Sequence, residues 1–196
     1  MDPSMMRRGG NTRLRRNAES GVSLLEVVIS MAVLTVGMVS MLGVFGLAMA
    51  ATQTSQSDMI AKQLANESYE SIITARNTSQ ITWSQIQNVS NGGIFIDGAT
   101  PIYNAGADGI YGTADDSVAG EQTLQDPGPD GVYQTVDDIL IPLTGYQRTI
   151  LISPVLDSSG NVVATLRAVT ITVTYNTPQI KTGKTYVLNS FISQYQ

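Results

Sequence analysis

Neither cysteine nor histidine occurs in this chain of 196 residues. Without thiols no disulfide can staple a domain, and without imidazole there is no Ser-His-Asp set and no base that titrates near neutrality. No complete P-loop for cradling phosphate is present either. Positive charge is scarce and uneven. Of eleven Lys and Arg residues, Arg7, Arg8, Arg13, Arg15 and Arg16 lie in residues 1–21, and none falls between Asp108 and Asp138. Two acidic residues share that leader, which leaves 6 basic against 14 acidic residues beyond it. So acidic a product argues against a nucleic-acid stripe, which needs clustered cations.

Charge of either sign is absent from Val27 to Ala51, a run of 25 residues. As a helix it is long enough to cross roughly 30 Å of hydrocarbon. The basic leader before it predicts a cytoplasmic amino terminus with the rest of the chain on the other face. A secretory signal would carry a shorter apolar region with its cleavage site beyond it. Here the candidate cut, between Gly21 and Val22, precedes the run, so the helix stays on the product. Glu26 stands at the mouth of this run, and an ionisable group there is costly enough to imply a task.

The junction Gly21-Val22-Ser23-Leu24-Leu25-Glu26 resembles the class III signal of type IV prepilins and pseudopilins, which reads Gly, aromatic or Met, Ser or Thr, Leu, apolar, Glu. Val22 departs from the usual Phe or Met but is still apolar. The segment from Glu26 to Gly43 is most similar to the pilus-modification (PilV-like) minor pilins, since no proline interrupts it. The resemblance implies cutting between Gly21 and Val22 by a prepilin peptidase, methylation of the new amine, and Glu26 as the fifth mature residue. It also implies other pilins as partners through the helix, an inner-membrane assembly platform, and a path from the inner membrane, head in the periplasm, to a filament. The physical reading agrees: staggered helices would let Glu26 of one chain meet the Val22 ammonium of the next, while Gly37, Gly43 and Gly46 permit close approach.

Beyond Ala51 the pattern becomes amphipathic without a breaker, and one helix is expected from about Val22 to Arg76. Residues 22–51 would be its membrane half and 52–76 its amphipathic half, with Met59 and Tyr69 as core. Residues 77–196 would form the head. Within 146–193, the runs 148–153, 162–175 and 184–193 read as strands, with a hairpin turn at Asp157–Asn161 and a second connection from Thr177 to Gly183. Val169, Ile171, Val173 and Tyr175 share one face of the middle run. The expected fold is α+β and pilin-like: a long amino-terminal helix packed on a carboxy-terminal antiparallel sheet. Asn66, Asn77 and Asn88 each open an Asn-x-Ser triplet, a pattern too common to weigh.

Between helix and strands, residues 104–138 hold a repeat. Asn104-Ala-Gly-Ala-Asp108-Gly109-Ile-Tyr-Gly-Thr-Ala-Asp115-Asp116 returns 22 residues later as Asp126-Pro-Gly-Pro-Asp130-Gly131-Val-Tyr-Gln-Thr-Val-Asp137-Asp138. Counted from Asn104 and Asp126, oxygen ligands fall at positions one, five and twelve with glycine at six, most of the spacing of an EF-hand calcium loop. Position three is glycine and position twelve Asp, which departs from that pattern. The candidate metal ligands are Asn104, Asp108, Asp115 and Asp116, with Asp126, Asp130, Asp137 and Asp138; oxygen-only donors favour calcium over zinc. The alternative is a pair of turns in which Asp-Gly supplies positive φ and the carboxylates are solvated. A glycosidase-like carboxylate pair is the one catalytic option, and placement in near-identical repeats disfavours it.

These readings predict a structural subunit, not an enzyme: a minor pilin in, or initiating, a type IV pilus-like filament. Two alternatives share the chain's features: a pseudopilin of a type II secretion system, and a calcium-dependent adhesin at a pilus tip.

Overall fold

The computed structural model describes residues 22–177 and 180–195, with side chains for all of these except residues 180–182. Gly21 and the leader lie outside the described residues. Helix α1 runs unbroken over Leu24–Asn77, 54 residues that include no proline. Its backbone ladder therefore loses no donor. The hydroxyls of Thr35 and Ser40 in the apolar stretch, and of Thr52 and Thr54 just beyond it, each donate to the carbonyl four residues back, so these four are satisfied within the helix. Side chains from Val22 to Met49 are exposed. The helix is long and apolar enough to cross a membrane, with mean hydropathy 2.3 over its most apolar window.

The chain divides into two compact units, the first ending at Gly46 and the second beginning at Leu47. The division falls within α1. In the second unit α1 buries a stripe of Ala61, Leu64, Ala65, Ser68, Ile72 and Ala75, with Ile60, Tyr69 and Ile73 at its margins. Steps of three and four residues keep that stripe on one face. Met59 is not core, contrary to expectation: it lies just outside the stripe and is 70% exposed.

The stripe packs on a four-stranded antiparallel sheet. Its strands are β1 (Thr100–Pro101), β4 (Tyr146–Leu156), β5 (Val162–Thr177) and β6 (Ile180–Ser193), adjacent in that order. Two further strands, β2 (Thr123–Asp126) and β3 (Ile139–Pro142), pair only with each other. Val169, Ile171, Val173 and Tyr175 are buried against the helix, as the alternation predicts, together with Ile150, Ile152 and Ile192. The β4–β5 turn closes at Gly160, whose φ of +84° suits glycine. Of the connection expected from Thr177 to Gly183, residues 180–183 are instead strand. Register passes from Tyr175 opposite Lys184 to Thr177 opposite Ile180, and β6 absorbs its extra residues as a bulge beside Gly183.

Polar ties fasten the helix to the sheet. The hydroxyl of Tyr175 donates to Asp58 at 2.6 Å, and the Lys184 ammonium donates to both oxygens of Asp58 at 2.7 and 2.8 Å. Nearer the helix end, Arg76 donates to the Ser193 carbonyl at 2.6 Å and Ser190 to the Tyr69 hydroxyl at 2.7 Å. Residues 83–95 cover the free edge of β4: buried Asn88 donates to the Ile150 carbonyl and accepts from the Ile152 amide, both at 2.8 Å. That burial removes Asn88 as a glycosylation acceptor. Trp83 packs at the core's margin, donates to the Ala164 carbonyl and lies under the Arg167 guanidinium.

Candidate functional site

Each Asp-Gly repeat folds into a loop wired by the same bonds at the same positions. In the first loop the Ile110 amide donates to Asp108 Oδ1 at 2.8 Å, and in the second the Val132 amide donates to Asp130 Oδ1 at 2.8 Å. The Asp108 amide donates to Asp115 Oδ2 at 3.3 Å, and the Asp130 amide to Asp137 Oδ2 at 3.4 Å. Thr113 donates to Asp115 at 2.6 Å, and Thr135 to Asp137 at 2.7 Å. The Gly112 amide reaches Asp116 Oδ2 and the Gln134 amide reaches Asp138 Oδ2, each at 2.6 Å. Gly109 and Gly131 both have φ +69°, the turn that swings the carboxylates inward. The internal repeat in sequence is thus a repeat in structure.

The first loop brings Asp108, Asp115 and Asp116 together, with a carboxylate oxygen of each within 4.8 Å of the others. The Nδ2 of Asn104 is engaged outside the trio. Its amide donates to the carbonyls of Ala119, Gly120 and Glu121 and closes the base of the loop. Asp126 likewise turns to its own loop, accepting from the Gly128 amide at 3.1 Å. No second group of three carboxylates this close occurs among the described residues, so Asp130, Asp137 and Asp138 share the wiring but not the same convergence. Gly106 leaves room for the trio: a Cβ there would stand 2.2 Å from Asp115 Oδ2, so a larger residue must displace that carboxylate. Hard oxygen donors around a cradle kept open by glycine fit calcium, and the donor set offers nothing to a soft metal.

The surroundings separate the two loops. The first is set into the head, with Ile110, Thr113 and Asp116 buried. Beneath it lies Arg148 of β4, only 2% exposed, whose Nη2 is 3.9 Å from Asp116 Oδ2 and whose guanidinium stacks on the Tyr111 ring at 4.6 Å. No hydrogen-bond partner reaches Arg148 Nε or Nη1. Burial pushes the Asp116 carboxyl above the usual carboxylate range, and the amides of Gly112 and Gly106, with Arg148, offset only part of that. Burial also lowers the Arg148 guanidinium, so the cost of desolvation exceeds the attraction within the pair. In the exposed second loop the balance reverses. Asp138 feels some desolvation too, but the Gln134 amide, Gln125 and Thr135 hold it below the usual range. Asp115 and Asp137 are both lowered, chiefly by their threonine hydroxyls.

Arg148 is the member of the site that the repeat does not disclose. Its signal lies in the strand pattern, because Arg148, Ile150 and Ile152 alternate onto one face and a cation on the core face calls for a carboxylate. Glu26 sits in the first turn of α1, and Gly21, on the leader side of the expected cut, lies outside the described residues. Comparisons with protein-family models, with curated proteins and with solved structures find no match to this chain.

Proposed function

We propose that the chain is a minor pilin, a structural subunit that enters or initiates a type IV pilus-like filament once its leader is removed at Gly21–Val22. The supporting observation is a helix whose first half is apolar, exposed on every side and interrupted by one carboxylate, Glu26. A single anchor would need apolar surface but no acid. An acid near a new amino terminus, at the start of a helix that can pack among copies of itself, suits staggered assembly in which Glu26 neutralises a sister chain's Val22 amine. The long helix followed by an antiparallel meander also suits a pilin-like head. On this reading the chain waits in the inner membrane with its head in the periplasm, meets a prepilin peptidase and an assembly platform, and then packs with other pilins. A pseudopilin of a type II secretion system would use the same features; loss of secretion, with surface filaments retained, in a deletion strain would favour it.

The test is mass spectrometry of the membrane-extracted chain. A mature product beginning at methylated Val22 is expected, and Glu26→Ala should leave processing intact while reducing incorporation into filaments at least tenfold. A product that keeps the arginine-rich leader would overturn the proposal.

A second reading adds calcium at the repeat loops of a tip adhesin, favoured by the convergence of Asp108, Asp115 and Asp116. Bound there, the ion would neutralise carboxylates that Thr113 now bridges with a single proton. Calorimetric titration of the purified chain with calcium after chelation tests it; absence of binding at millimolar calcium rules it out.

A further inference from the structure

The β2–β3 ribbon is poorly covered. It pairs with no other strand, and Ile139, Leu140 and Ile141 are 58%, 62% and 45% exposed. Of its apolar residues only Leu124 packs against the core, and two strands with most of their apolar surface uncovered are marginal in water and invite a partner. The register places Leu124 opposite Ile141 and Asp126 opposite Ile139, so these four share one face. Leu124, Asp126 and Ile141 of that face, with Met59 and Ile60 of α1, line an open groove of about 920 Å³ along the helix from Gln56 to Glu70. Fourteen helical steps span about 20 Å, room for roughly four turns of a second helix.

We propose that this groove is the docking site for an amphipathic helix of a different polypeptide, one whose apolar stripe is flanked by Lys and Arg. Charge chooses that occupant. Glu67, Glu70 and Asp126 face the groove against the single amine of Lys62. A second copy of this chain is poorly equipped to answer them. Arg148 is buried beside Asp116, Arg167 is bound to the carbonyls of Trp83 and Ile86, Lys184 to Asp58, and Arg76 to the Ser193 carbonyl. Among the described side chains that leaves a second copy Lys62 alone to answer three carboxylates, and Met59, unbranched and exposed, can adapt to an apolar stripe not its own.

The test places a photo-crosslinking amino acid at Met59, and separately at Ile141, in the full-length chain expressed in its native cells, and sequences the crosslinked peptide. Expected is one heterologous adduct common to both positions, whose peptide carries at least two Lys or Arg residues around a helical apolar stripe. Glu70→Lys with Asp126→Lys should cut its yield at least fivefold while chain abundance stays unchanged. An adduct of this chain with itself, a crosslinked peptide without basic residues, no adduct at either position, or a yield indifferent to charge reversal would each overturn the proposal.

Discussion

The two Asp-Gly loops carry the same residues at seven of thirteen positions and the same hydrogen bonds, yet they occupy opposite environments. The first lies on the core with Arg148 beneath it, whereas the second crosses from β2 to β3 in open solvent, with Val132, Tyr133 and Val136 all exposed. Four loop bonds are common to both, so the pair shows what the setting of each loop adds, burial at Asp116 and the Gln125 amide at Asp138. That setting reverses the direction in which the last carboxylate of each loop moves, upward at Asp116 and downward at Asp138. It also gives the first loop an arginine that has no counterpart in the second. Loop geometry is local, and electrostatics is set by what the loop rests on.

Removing Arg148 should break this comparison most severely. Arg148→Met leaves the Asp116 carboxylate buried beside no cation, which costs about 3–5 kcal/mol. Denaturant unfolding in detergent should show that loss, and hydrogen exchange should rise at residues 106–116 with little change at 128–138. An equal rise in both loops would mean that Arg148 supports the head generally. Gly106→Ala comes next. Its Cβ would drive the Asp115 carboxylate from its place, at a cost of about 1–3 kcal/mol, and should abolish any calcium binding by the first loop alone.

Acid titration sharpens the contrast through sign. Asp138 has a folded pKa below its unfolded value, so it stabilises above the usual carboxylate range and loses that contribution as pH falls through the folded pKa. Asp116 has a raised folded pKa, so its contribution is fully present below the unfolded value and is lost as pH rises through the folded one. Carbon-detected titration should therefore find the midpoint of Asp116 above that of Asp138, and equal midpoints would refute the burial argument. The smallest effect is expected at Gln134, which holds φ +68° where the first loop has Gly112 at +86°. Gln134→Gly should relieve left-handed strain and stabilise the second loop by about 0.5–1 kcal/mol, read as slower exchange there.

Legibility followed the range of the forces involved. Helix α1 and strands β4, β5 and β6 are visible in sequence because the uninterrupted apolar run and the alternation from Val169 to Tyr175 are local patterns. Met59 misled because its neighbours Ile60 and Ala61 carry the stripe while it turns outward, a rotation finer than composition resolves. β2 and β3 escaped because four-residue strands such as Thr-Leu-Gln-Asp and Ile-Leu-Ile-Pro lack enough residues to establish a period. In the loops, the aspartates were legible as a group, but Asn104 was assigned to the ligand set by spacing alone. Its amide also meets three carbonyls some fifteen residues away, contacts of tertiary closure that spacing does not disclose.

The ties between helix and sheet have a mechanical consequence. Asp58 is held by Tyr175 and Lys184, and Arg76 by Ser193, so α1 is riveted to β5 and β6 at two stations eighteen residues apart. Tension applied along the helix axis would shear both rivets together instead of peeling them one by one. A head gripped in this way should withstand greater loads than one hinged at a single point.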